Sequence, residues 1–213
     1  MKKKEEKEIK KTKVWSIIGI ITFTVYLLLV IVSRITTSLL FHIPFLTQLT
    51  FILKTLILNG YVLFYILYSG FKKTNKVLHI LLLVVFVLSI LSNIIDLINE
   101  LRVLIHYGGN TIYYLLNIIE ICFNIILYSI PSVSALGLSI NKKLAPKVLM
   151  ILSFVGIGLV FVSSIAVNFW GLSFGMNIRN ILSTVTGILI ALFFTGFQVS
   201  LIFTLKENIK EIK

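Results

Sequence analysis

The chain has 213 residues, of which 58% are hydrophobic and only 13% charged, and its mean hydropathy is +1.03. That composition excludes an ordinary water-soluble domain, which needs far more polar surface. The net charge of +12 is no nucleic-acid signature, because the cations sit in short clusters between apolar runs and not along one face. A single cysteine, Cys122, excludes an intramolecular disulfide and a cysteine metal cluster.

Residues 1–13, MKKKEEKEIKKTK, read as a basic tail, and the apolar run that follows is too long for the core of a signal peptide. Six apolar runs cover 14–33, 49–68, 78–97, 112–138, 148–169 and 181–205. Each has about 20 residues or more, enough to cross some 30 Å of hydrocarbon as a helix. The expected fold is therefore an all-α, polytopic membrane protein: one domain of six transmembrane helices, 14–205, with a short tail at 206–213. The first connector, 34–48, is itself apolar and is expected to be a greasy loop on the rim, broken by Pro44.

The connectors set the orientation. Of the 20 Lys and Arg residues, sixteen lie on the side of the N-terminus: seven in the tail, and three each around 72–76, 142–147 and 206–213. Arg34, Arg102 and Arg179 fall on the opposite side, and Lys54 falls inside a span. The positive-inside rule then puts both termini in the cytoplasm of a cell membrane, with the basic clusters on anionic lipid.

The polar residues inside the spans carry the functional expectations. Asn117, Glu120 and Asn124 share one face of the fourth helix, with Tyr113 and Tyr128 extending the row. Ser89, Asn93, Asp96 and Glu100 form a second stripe on the third helix. Lys54 and Asn59 lie on the second. A charge at the centre of a span costs roughly 2.5–3.5 kcal/mol on insertion scales, so these groups should face the bundle interior or a wet cavity. They predict an outward-facing polar cleft between the second, third and fourth helices, with Glu120 at its floor about 12 Å below the helix end. Glu120, Asn117, Asn124, Asp96, Asn93 and Lys54 are the candidate ligand-binding or ion-coupling residues. A carboxylate at that depth either takes up a proton or finds a cation, and Lys54 is the intrahelical cation at similar depth. The competing reading makes these groups glue between helices.

Other features point away from catalysis. The 171–175 segment, GLSFG, matches G-x-S-x-G but lies in a connector without the strand-to-helix context of a nucleophile elbow. His42, His79 and His106 share no metal-ligand spacing and read as interfacial polar residues. No metal or cofactor is expected. Ser183, Gly187, Ala191 and Thr195 recur every four residues on the sixth helix as a packing seam, within the bundle or against a partner subunit. Gln198 is expected to bond across helices. No motif ties the chain to a known family. The functional expectation is a small-solute transporter or the substrate-binding membrane subunit of one. The alternative is a sensor, assembly factor or immunity-type protein acting through helix contacts.

The topology has a direct check. In a Cys122→Ala background, cysteine introduced at Ser38, Asn110 or Ser173 should react with an impermeant thiol reagent from outside the cell, and cysteine at Thr74 or Asn141 should not. External labelling at Asn141 would reverse the orientation.

Overall fold

The computed structural model describes residues 2–41, 44–72, 74–107, 111–140, 146–172 and 177–210. They form six helices: α1 (Lys2–Phe41), α2 (Phe45–Phe71), α3 (Lys76–Tyr107), α4 (Thr111–Ser139), α5 (Pro146–Leu172) and α6 (Ile178–Lys210). All six contain a stretch long and apolar enough to span a membrane. The boundaries follow local chemistry. Asn75 Oδ1 accepts the Leu78 amide at 2.9 Å and starts α3, and Asn177 Oδ1 accepts the Asn180 amide at 2.8 Å and starts α6. Pro146 opens α5, where a missing amide proton costs nothing.

The first connector differs from expectation. The chain stays helical through Phe41 and resumes at Phe45, so most of 34–48 is helix and not loop. In an apolar surrounding each peptide group needs its own partner, which favours helix over loop on both sides of Pro44. Arg34 is thereby held over the Phe51 ring, 3.6 Å from its centroid. The basic tail is also helical from Lys2 onward.

Helices consecutive in the chain lie side by side, and α6 returns to α1, closing a ring. The contact between α2 and α3 is the sparsest around that ring. The terminal end of the bundle holds the ends of α2, α4 and α6 and the starts of α1, α3 and α5; the distal end holds the ends of α1, α3 and α5 and the starts of α2, α4 and α6.

The terminal half is densely packed. Val62, Ile66, Leu82, Phe86, Phe197 and Leu201 are all within 1% of complete burial. Trp15 stacks on Phe203 with ring centroids 4.0 Å apart. Helices in lipid gain little from apolar contact alone, so close packing and hydrogen bonds must fix them. Ser16 Oγ donates to the Ile66 carbonyl and Ser200 Oγ to the Trp15 carbonyl, each at 2.9 Å, tying α1 to α2 and to α6. Asn208 Nδ2 donates to the Tyr65 hydroxyl at 2.7 Å and to Ser69 Oγ at 3.1 Å, leaving the phenol proton for His79 Nδ1 at 3.1 Å. His79, near the start of α3, is thus buried against Tyr65 of α2 and not exposed. Among the other expectations, His106 is exposed, while His42 lies outside the described residues. Gln198 is buried too, but its Nε2 meets no hydrogen-bond partner among the described residues, contrary to expectation. Pro131 lies inside an unbroken α4. Ser132 and Ser134 bond the Tyr128 and Ile130 carbonyls, not the Leu127 carbonyl that Pro131 leaves free.

Gly19 marks the tightest approach in this half. A Cβ there would sit 2.6 Å from Ser200 Oγ and 3.1 Å from Ile66 Cγ2. Gly19→Ala should therefore displace Ser200 from the Trp15 carbonyl and lower stability by about 1–3 kcal/mol. Thermal unfolding in detergent measures this, and Gly19→Ala combined with Ser200→Ala should be less damaged than addition of the two single effects implies.

Candidate functional site

The distal half encloses a cavity of about 370 Å³. Each helix from α2 to α6 presents residues to it at a spacing of three or four, so a single face of each helix forms the wall. α2 contributes Phe51, Lys54, Thr55, Leu58 and Asn59; α3 contributes Ser89, Ser92, Asn93 and Asp96. α4 gives Glu120, Asn124 and Tyr128, and α5 gives Val160, Ser164 and Asn168. α6 adds Gly187, Ile190, Ala191 and Phe194, and Tyr26 of α1 completes the lining.

The structure brings five of the six candidate residues to one cavity of a different shape. Glu120, Asn124, Asp96, Asn93 and Lys54 line one cavity, whereas Asn117 does not. The cleft is bounded by all six helices and not by α2, α3 and α4 alone. Glu120 is not its floor: Tyr128 lies two turns deeper on the same face, about 12 Å further along α4. Tyr26, Asn59, Ser89 and Phe194 lie at similar depth on their helices. The sequence reading missed Tyr26, Ser164 and Asn168 as lining residues. A spacing of four between Ser164 and Asn168 was the available signal, but polar residues at a single interval do not choose a face.

The ion pair also differs. Lys54 Nζ is 3.1 Å from Asp96 Oδ2, joining α2 to α3, and does not pair with Glu120. The ring order explains this, because α2 lies beside α3 while α4 is one helix further round. Glu120 instead accepts a hydrogen bond from Ser164 Oγ on α5. Among the described residues no Lys or Arg forms an ion pair with Glu120. Glu100, one turn beyond Asp96, stays outside the cavity, with a buried Oε2 that meets no partner among the described residues.

Several lining side chains are held by their own helices. Ser89 Oγ donates to the Val85 carbonyl at 2.9 Å, and Asn93 Nδ2 to the Ser89 carbonyl at 2.7 Å. Asn168 Nδ2 donates to the Ser164 carbonyl at 2.7 Å, while Thr184 Oγ1 reaches the Asn168 carbonyl at 3.0 Å from α6. Gly187 lets α6 approach this point, since a Cβ there would overlap Asn168 Oδ1. The small-residue row of α6 is therefore divided: Gly187 and Ala191 face the cavity, and Ser183 is exposed. Others have unused hydrogen-bonding capacity. The Asn59 and Asn124 amides and the Tyr26 and Tyr128 hydroxyls have no protein hydrogen-bond partner among the described residues, although Asn59 is only 7% exposed. Unfilled capacity converging on one cavity is what a bound solute or water satisfies.

In the 171–175 segment, residues 173 and 175 lie outside the described residues, so no geometry attaches to that motif.

The fold and the composition together define a multi-pass integral membrane protein. Comparison with family models, with curated proteins and with solved structures finds no match to the chain.

The Lys54–Asp96 pair gives a stability test. Lys54→Met and Asp96→Asn should each lower the melting temperature, because each leaves one charge alone in the wall. The double variant should recover part of the loss, with a coupling of roughly 0.5–3 kcal/mol. Strict additivity would show that the two side chains do not interact.

Proposed function

We propose that the chain is the solute-binding membrane subunit of a transport system, and that its ligand is a small organic cation held by Glu120. The carrying observation is the Glu120 side chain on the wall of a 370 Å³ cavity, supported by Ser164 and ion-paired with no cation among the described residues. With Lys54 and Asp96 neutralising one another, Glu120 is left as the lining's uncompensated acidic group. Asn59, Asn124, Tyr26 and Tyr128 supply hydrogen bonds around it, and Phe194 supplies an aromatic ring in the lining.

A binding subunit fits better than a self-sufficient carrier. The cavity stops at mid-bundle, and the terminal half below it is filled by Phe86, Phe197 and Leu201. Alternating access by this chain alone would require that half to open. No phosphate-binding loop occurs in the sequence, so energy from ATP would come from a partner. The cation distribution supports both termini in the cytoplasm, which turns the cavity toward the outside of a cell membrane.

The test is ligand-induced thermal stabilisation of the purified protein across a panel of small amines, quaternary ammonium ions, carboxylates and sugars. Amines or quaternary ammonium ions should stabilise it. Glu120→Gln should weaken that binding about 10- to 100-fold, the loss expected for a hydrogen bond to a charged group, while the protein still folds. Stabilisation by carboxylates or sugars only, unaffected by Glu120→Gln, would refute the reading.

A further inference from the structure

The wall of the cavity is not equally closed on all sides. In the terminal half α2 and α3 are joined by Tyr61 Oη, which donates to the Leu78 carbonyl at 3.2 Å, and by the Tyr65–His79 bond. In the distal half the polar tie between them among the described residues is the Lys54–Asp96 pair. Lys54, Ile57 and Tyr61 fall on one strip of α2, spanning about 10 Å along its axis. Ile57, between the two ties, is 68% exposed, and Leu88 on α3 is 49% exposed. Behind them lie Asn59, Ser89 and Asn93 on the cavity wall. A window at the α2–α3 seam, the sparsest contact of the ring, would be bounded below by tyrosines and above by an ion pair.

Its depth decides what it faces. Lys54 is four residues from the midpoint of α2 and Asp96 four to five from that of α3, or about 6–7 Å from mid-helix at 1.5 Å per residue. The hydrocarbon half-thickness is about 15 Å. The window thus opens onto acyl chains, flanked by the exposed Leu53, Leu91 and Ile95. Two charges at that depth are costly unless paired or used.

We propose that the cavity is loaded sideways from the bilayer, and that its occupant is a single-chain amphiphile with an ammonium head. This rests on the reading of Glu120 as a cation ligand. The head passes between α2 and α3, exchanges with Lys54 at Asp96, and settles between Glu120 and the unpartnered, nine-tenths-buried Asn59. The chain remains in the window against Ile57 and Leu88. A volume of about 370 Å³ lies at the low end of small-ligand sites, which suits a head group and a few methylenes but not a whole two-chain lipid.

The experiment uses the full chain in phosphatidylcholine nanodiscs, carrying Cys122→Ala and Asn93→Cys. The cysteine is reacted with a bilayer-dissolved pyrene maleimide or with a water-borne, impermeant trimethylammonium thiosulfonate. The lipid-phase reagent should react faster, and Ile57→Trp should slow it at least tenfold while leaving the water-borne rate unchanged. Ile57 faces outward, so this variant should fold; its melting temperature is recorded alongside. Octylammonium should protect the cysteine better than methylammonium at equal concentration, and Glu120→Gln should abolish that protection. If Ile57→Trp changes neither rate and both amines protect equally, the lateral route is overturned while the Glu120 reading stands. If neither amine protects, the ligand class and the Glu120 reading fall together.

Discussion

The buried Tyr65 phenol is the point on which the bundle is hung. It accepts from Asn208 on α6 and is hydrogen-bonded to His79 on α3, so one side chain of α2 joins three helices at the terminal end. In lipid, apolar side chains have no strong preference for one another over acyl chains, and directional bonds between helices acquire corresponding weight. The Ser16 and Ser200 bonds extend the same clamp to α1. With one half of the bundle held this way, the other half can stand apart around a cavity.

That division of labour explains the distribution of polar residues. Within the clamp, each named polar group meets another or a backbone carbonyl, Gln198 excepted. Within the cavity, Ser89, Asn93 and Asn168 are tied to their own helices, while Asn59, Asn124, Tyr26 and Tyr128 are left with capacity. Side chains fixed by their own helix hold position without consuming the site, and the unspent groups are available to a ligand.

The two acidic groups of the cavity stand in different situations. Asp96 is matched by Lys54 across the loosest seam of the ring, and both side chains are roughly half exposed. Glu120 sits deeper in the ring, on the α4–α5 side, with a serine hydroxyl as its partner. One acid is thus neutralised by a cation, whereas the other is met by a neutral donor.

Much of this was legible in the sequence. The runs of about 20 apolar residues fixed six helices, because only a helix satisfies every peptide group across that thickness. The i, i+4 rows on α3 and α4 fixed which faces carried Asn93, Asp96, Glu120 and Asn124, since side-chain direction along a helix follows from its period alone. What the period does not encode is how far each helix is rotated and which neighbour it meets. Hence Lys54 was matched with Glu120, at similar depth two helices away, when the ring order placed Asp96 beside it. Nor does the period set where along a face the cavity ends: Asn117 shares the face of Glu120 but lies one turn nearer the distal end, outside the lining, and Tyr26, Ser164 and Asn168 were not read as lining residues. Periodicity determined the faces; only the packing of six rotated cylinders decided which faces met, because that choice depends on contacts between residues as far apart in the chain as Trp15 and Ser200.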